Sequence, residues 1–177
     1  MADDELLLRA QRFDVIRRGC ATAEGSEVHR EFVVHPGAVV ILGLLDGNAE
    51  GRQVVMIHNY RHAVERELLE LPAGTLEPGE EPLHCAVREF EEETGYRAAH
   101  IEPLAQFYVS PGILTERMHV YVATDLSEGC RNLDDGEHIR VEPMPLADAY
   151  ARIADGAIQD AKTIAALLLY RMTQERR

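Results

Sequence analysis

The stretch Glu81 to Thr94 reads as one helix with sharply different faces, and no other segment constrains the chain as much. Pro82 suits a first helical turn, where its missing N–H costs nothing, and Gly95 sits where a left-handed cap would stop the helix. At about 100° per residue, Leu83, Ala86, Val87 and Phe90 gather on an apolar face that needs a core to pack against. Glu89, Glu92 and Glu93 share a stripe that points away from it. Like charges one turn apart repel, and negative charge near a helix C-terminus opposes the macrodipole, a combined cost of roughly 1 kcal/mol or more. Something must compensate. Arg88, one turn before Glu92, can neutralise part of the stripe. Hard divalent cations are the other candidate, because magnesium is held by a few carboxylates, waters and substrate phosphates.

The overall charge bears on what such a stripe could bind. With 31 acidic against 18 basic residues the formal net charge is −13, and no basic cluster stands out. Nucleic acid is therefore excluded as an expected partner, whereas an anionic small molecule remains compatible if cations bridge it to carboxylates. Only one of the basic residues, Lys162, is a lysine, which reads as genome base composition rather than function. A length of 177 residues gives one full domain with a short extension and rules out two catalytic domains. Cys20, Cys85 and Cys130 are an odd set without close spacing, which argues against a zinc cage or disulfide framework and for a reducing compartment. The start is acidic with an apolar run of only Leu6 to Leu8, and the longest apolar stretches, Ala38 to Leu45 and Ile164 to Tyr170, are core-length. A cytoplasmic protein without a membrane segment is expected.

Ahead of the helix, Phe13 to Thr22 and Glu27 to His35 read as two strands of a hairpin extension, residues 1–35. The main domain, 36–177, begins at the Pro36-Gly37 break, with strands at Ala38 to Leu45, Gln53 to His58 and Leu68 to Leu71. Beyond the helix come strands at Ile101 to Val109 and Arg117 to Ala123, a polar loop from Ser127 to His138, and a strand near Ile139 to Val141. Two helices follow, about Leu146 to Ala154 and Gln159 to Met172. His58 and His62 have a helical ligand spacing but lie at a strand end and loop, and Cys85 lacks a basic partner, so neither pattern is read as a site.

Taken with its flanks, the helix forms a longer pattern: Gly74, five residues, Glu80, seven residues, then Arg88-Glu89-Phe90-Glu91-Glu92-Glu93-Thr94-Gly95-Tyr96. This resembles the Nudix box with all of its specified positions filled. In a 177-residue chain of this composition such a match arises by accident on the order of once in a hundred thousand. The resemblance implies the Nudix α/β/α sandwich with a mixed sheet, and metal-dependent hydrolysis of a nucleoside diphosphate joined to a further group.

Glu70-Leu71-Pro72-Ala73-Gly74 leading into the box, and Pro111 placed 15 residues after Tyr96, further resemble the ADP-ribose pyrophosphatase branch. That branch implies cleavage of ADP-ribose to AMP and ribose 5-phosphate with Mg2+ or Mn2+ held by the Ala73 carbonyl, Glu89, Glu92 and Glu93, and with Glu80 in support. It also implies substrate contacts from Arg61, Glu116, Pro111 and Glu70, and from Arg30 toward a second subunit, because relatives exchange N-terminal hairpins in a homodimer. Glu137, with Asp135 second and Glu116 a rival, takes the place of the base that activates water, alongside Glu92 and Glu93. A GDP-mannose or other nucleotide-sugar hydrolase is the alternative within the same chemistry, and a non-catalytic ADP-ribose sensor is the alternative of another class. An RNA-end hydrolase would need a basic track that the sequence does not show.

Overall fold

In the computed structural model, which describes residues 4–48, 51–133 and 138–175, the N-terminal segment is an antiparallel sheet of three strands: Glu5–Arg9 (β1), Asp14–Ala21 (β2) and Glu27–Val34 (β3). The sequence gives reason to expect β2 and β3 only. A run of three leucines is too short to show a strand's alternation, and β1 becomes visible through its pairing on β2, with ion pairs from Glu5 to Arg17 and from Asp4 to Arg18 beside it.

The second sheet is mixed and has seven strands: Ala38–Asn48 (β4), Gly51–Arg61 (β5), Arg66–Glu70 (β6), Ala73–Thr75 (β7), Tyr96–Tyr108 (β8), Arg117–Glu128 (β9) and Ile139–Pro145 (β10). Its path runs β10-β5-β4-β9-β8, with β6 on β5 and β7 on β4, and the β4–β9 pair is parallel. Strand β4 shows why this sheet is a middle layer. Its apolar run is buried on both sides, and its side chains alternate between two cores. Val39 and Ile41 pack with Cys85, Ala86 and Phe90 of the helix Pro82–Thr94 (α1). Val40, Leu42 and Leu44 pack with Ala149 of Leu146–Ala154 (α2) and with Ala166, Leu167 and Tyr170 of Ala161–Gln174 (α3). The result is the expected α/β/α sandwich.

Helix α1 is turned relative to the expected apolar face. Cys85, Ala86, Phe90, Glu93 and Thr94 are buried, whereas Leu83 and Val87 are 42% and 49% exposed. Two contacts account for the turn. Phe90 fills the space over Gly43, where a Cβ would lie 2.4 Å from its ring, and Glu93 is drawn inward to accept from the Ala73 N–H at 2.9 Å. Strand β7, which is not among the strands expected from the sequence, supplies that donor. Gly95 ends the helix with φ 75°, donating its N–H to the Glu91 carbonyl.

Helix α3 is fixed at its start by the Asp160 side chain, which accepts from the Thr163 N–H at 2.9 Å. The Thr163 hydroxyl accepts from the Leu71 N–H at 2.8 Å and so ties α3 to the β6–β7 corner. This corner brings residues distant in sequence to the edge of one cleft. Among the described residues no helix is long and apolar enough to cross a membrane.

Candidate active site

A cleft of about 660 Å³ opens between the β7–α1 segment, the end of β5, the start of α3 and the segment from Val109 to Met118. Arg61, Ala73, Glu89, Glu93, Glu116 and Lys162 line it. Its two long walls carry opposite charge arrangements.

The first wall is the end of β7 and the inner side of α1. Gly74 lies so close to the helix that a Cβ there would sit 1.9 Å from Glu89 Cδ, so any larger residue would displace the Glu89 carboxylate. Arg88 gathers the surrounding carboxylates. Its Nε and Nη2 donate to Glu80 at 3.0 and 3.1 Å, and its Nη1 donates to Glu89 at 2.8 Å and to Glu92 at 3.0 Å. The compensation demanded by the glutamate stripe is therefore present in the fold itself. The Arg88 guanidinium holds the Glu80 carboxyl at about 2, well below the usual range, and the carboxylates in turn raise the pKa of Arg88. Cys85, beneath Arg88, is a packed thiol that burial pushes up to about 12.

The carboxyl end of α1 has a second compensating cation, one that sequence reasoning missed. Arg131 donates from Nε to the Glu93 carbonyl at 3.0 Å and from Nη2 to the Ile139 carbonyl, while Asn132 N–H caps the Glu92 carbonyl at 3.1 Å. Nothing in local spacing reveals this contact, which joins a loop to a helix end 38 residues earlier.

The opposite wall is built around Glu70, which is fully buried. Arg61 donates to both of its oxygens, from Nε at 2.9 Å and from Nη2 at 2.5 Å, and Lys162 donates to Oε2 at 2.6 Å. Lys162 also pairs with Asp160 at 2.9 Å. Glu70 was expected at the substrate; its carboxylate is instead committed to two cations and lies behind them. Lys162 was set aside as a compositional accident, yet it stands in the cleft.

The remaining expected residues are dispersed. Glu116 lines the cleft, with its Oε1 3.7 Å from His35 Nδ1. Pro111 lines a separate apolar hollow of about 360 Å³ with Phe32, Tyr108 and Leu114. Arg30 is exposed on β3, opposite Arg18, and does not line the cleft of its own chain. Glu137 and Asp135 lie outside the described residues. His58 is bridged between Glu67 and Glu142 at 2.9 and 2.6 Å, and is no part of this site. Among the described residues no three His, Cys, Asp or Glu side chains are gathered as a metal cage, since Arg88 engages oxygens of both Glu89 and Glu92.

The sequence profile of the NUDIX domain matches residues 34–167. The chain is 43% identical to the ADP-ribose pyrophosphatase of Bacillus subtilis (strain 168) over 145 residues, which is 81% of this chain and 76% of that protein. It is 40% identical, over the same shares, to the methanol dehydrogenase activator of Bacillus methanolicus. A GDP-mannose pyrophosphatase of Cronobacter sakazakii is 32% identical over 93% of this chain and 87% of its own length. The crystal structure of an ADP compounds hydrolase shares the fold, with a TM-score of 0.84 at 24% identity, covering 99% of this chain and 94% of the other. With the profile spanning most of the chain and the box residues meeting at one cleft, the protein belongs to the Nudix hydrolase family.

Proposed function

We propose that the protein hydrolyses the diphosphate of ADP-ribose to AMP and ribose 5-phosphate. One observation carries this reading: a cleft of nucleotide size with a carboxylate wall facing the Arg61–Lys162 wall, in a chain 43% identical to an ADP-ribose pyrophosphatase. Nudix hydrolases generally need a divalent metal, and the residues here fit one. Glu89, Glu92, Glu93 and the Ala73 carbonyl are hard oxygen donors, and the bare backbone at Gly74 lets β7 approach Glu89. These four would hold Mg2+, with Mn2+ as the alternative. Bound cations there supply charge screening and Lewis-acid polarisation of the phosphoryl oxygens.

The chain's own groups divide the remaining work. Arg61 and Lys162 bind the diphosphate, and Glu70 fixes the angle at which both cations present themselves. Glu116 contacts the substrate from the facing loop, and Glu137 takes the proton of the attacking water. The N-terminal sheet, residues 1–35, mediates a homodimer in which Arg30 reaches the partner's cleft and Pro111 borders the nucleoside. Leu6, Leu7, Leu8 and Phe13, all exposed on or beside that sheet, support an apolar interface there. A cytoplasmic enzyme of small nucleotide sugars, without nucleic acid or membrane partners, fits the charge and the cleft.

GDP-mannose is the second reading, favoured by the relative that matches 93% of the chain. Incubation with Mg2+ and ADP-ribose, GDP-mannose, NADH or diadenosine polyphosphates, with chromatographic quantification of products, separates the readings. Preferential release of AMP from ADP-ribose is expected. Faster turnover of GDP-mannose moves the specificity to the second reading, and tight ADP-ribose binding without turnover identifies a sensor instead of an enzyme.

A further inference from the structure

We propose that His35 is a positioning residue for Glu116, its protonation deciding whether Glu116 faces the substrate or is held against the cleft wall. The inference rests on the reading above that Glu116 contacts the substrate. His35 lies in the connection between β3 and β4, where the N-terminal sheet is laced to the loop that ends in Glu116. Val33 N–H donates to the Ile113 carbonyl at 2.8 Å, and Thr115 N–H donates to the Val33 carbonyl at 2.9 Å. His35 N–H donates to Thr115 Oγ1 at 3.0 Å, and that hydroxyl donates back to the His35 carbonyl at 3.4 Å. The imidazole and Glu116 therefore face each other from a fixed frame.

The ring makes a choice at one atom. Gly37 N–H donates to His35 Nδ1 at 3.1 Å, so Nδ1 carries no proton in this arrangement. Glu116 Oε1 stands 3.7 Å from the same nitrogen, beyond hydrogen-bond distance, as two facing acceptors must. Protonation of Nδ1 reverses this. The ring can no longer accept from Gly37, and a shift of about 1 Å brings Glu116 to a charge-assisted hydrogen bond. Both side chains are largely shielded, at 13% and 18% exposure, so the attraction is weakly screened. Among the described residues Glu116 is the carboxylate paired with this ring. Arg12 from the β1–β2 connection and Glu77 from the β7–α1 connection line the same cleft beside Pro36 with opposite charges, and the neighbouring Arg117 turns its backbone carbonyl toward Gly37.

Gly37 transmits the choice. It holds φ 107°, and its carbonyl accepts from Leu76 N–H at 3.1 Å on the segment that carries the box glycine. Neutral His35 thus braces the two loops that frame the cleft and leaves Glu116 to the substrate. Protonated His35 releases the brace and withdraws the carboxylate.

The test is the pH dependence of KM and kcat for the substrate turned over fastest, in wild-type protein and in His35→Asn, His35→Ala and Glu116→Gln. Asparagine keeps an acceptor for Gly37 N–H but does not titrate. Wild-type KM is expected to rise about tenfold between neutral and mildly acidic pH. In His35→Asn it should stay flat at the neutral-pH value, while His35→Ala should raise KM at every pH. Parallel wild-type and His35→Asn profiles, with Glu116→Gln still impaired, overturn the proposal and leave Glu116 as a substrate contact. Wild-type KM in Glu116→Gln overturns the reading of Glu116, and the proposal with it.

Discussion

The two walls of the cleft are near mirror images in charge. On one, a single arginine, Arg88, is shared by three carboxylates; on the other, a single carboxylate, Glu70, is shared by two cations. The difference in burial decides what each wall can do. Arg88 and Glu92 are 30% and 33% exposed at their side chains, and a ligand of opposite sign can replace the arginine without stranding a charge in the protein interior. Glu70 is fully buried, so its pairs are permanent, and removing it takes from Arg61 its carboxylate partner and leaves Lys162 with Asp160 alone. A surplus of negative charge that can be released suits metal ions that come and go. A rigid pair of cations suits the recognition of a diphosphate.

The sharpest way to break this contrast is Glu70→Ala. Loss of the buried partner should cost about 3–5 kcal/mol of stability, whereas Glu89→Gln should cost at most about 1 kcal/mol. Chemical denaturation of both variants checks the difference, and equal losses would mean that the walls do not differ in kind. Glu93→Gln comes next. Turnover should fall by about a hundredfold or more, the loss of an interaction made in the transition state. The residue was expected to be exposed, but at 3% exposure and bonded to Ala73 N–H it also supports β7. Glutamine retains an acceptor for that N–H, so thermal unfolding should drop by only about 1 kcal/mol. Near-normal turnover would remove the carboxylate wall from the chemistry.

Arg88→Met tests the releasable side directly. Without metal, Glu80, Glu89 and Glu92 lose their common partner, and stability should fall by about 1–2 kcal/mol. Saturating Mg2+ should narrow the gap between variant and wild type, since a ligand that binds only the folded state stabilises it. Melting curves with and without Mg2+ measure this, and an unchanged gap would place the metal elsewhere.

What could be read from sequence differs between the walls for a physical reason. The carboxylate wall is one helix and the turn before it, so local spacing carries Arg88, Glu89, Glu92 and Glu93 together, and the unfavourable stripe itself demanded a compensating cation. The spacing placed Val87 rather than Glu93 in the core, because packing of Phe90 over Gly43 and the donor on β7 are tertiary facts. The cationic wall joins β5, β6 and α3, with Lys162 bonded to a residue 92 positions away. No local pattern encodes that contact. Most strands and all three helices were legible from apolar periodicity, whereas β1 and β7, short and defined by their pairing partners, were not.

The smallest predicted effect separates Arg88 as an electrostatic hub from Arg88 as a packing residue. Glu80 has a folded pKa of about 2 against an ordinary 4.5, chiefly through its hydrogen bond to Arg88. A depressed carboxyl pKa contributes stability that is fully present above the unfolded value and lost as pH falls through the folded one. The gap between wild type and Glu80→Gln should therefore be constant above about pH 5 and close between 4.5 and about 2. Its plateau should be about 1 kcal/mol once solvent screening is allowed for. Carboxylates unaffected by the substitution titrate in both proteins and cancel in the difference. In an Arg88→Met background the same gap should shrink to the small part that the Glu77 N–H supports, because the main group that depresses Glu80 is gone. If the gap persisted there undiminished, the backbone N–H of Glu77, which donates to Glu80 at 2.9 Å, would be the dominant partner, and the hub would reduce to Arg88 with the two helix carboxylates.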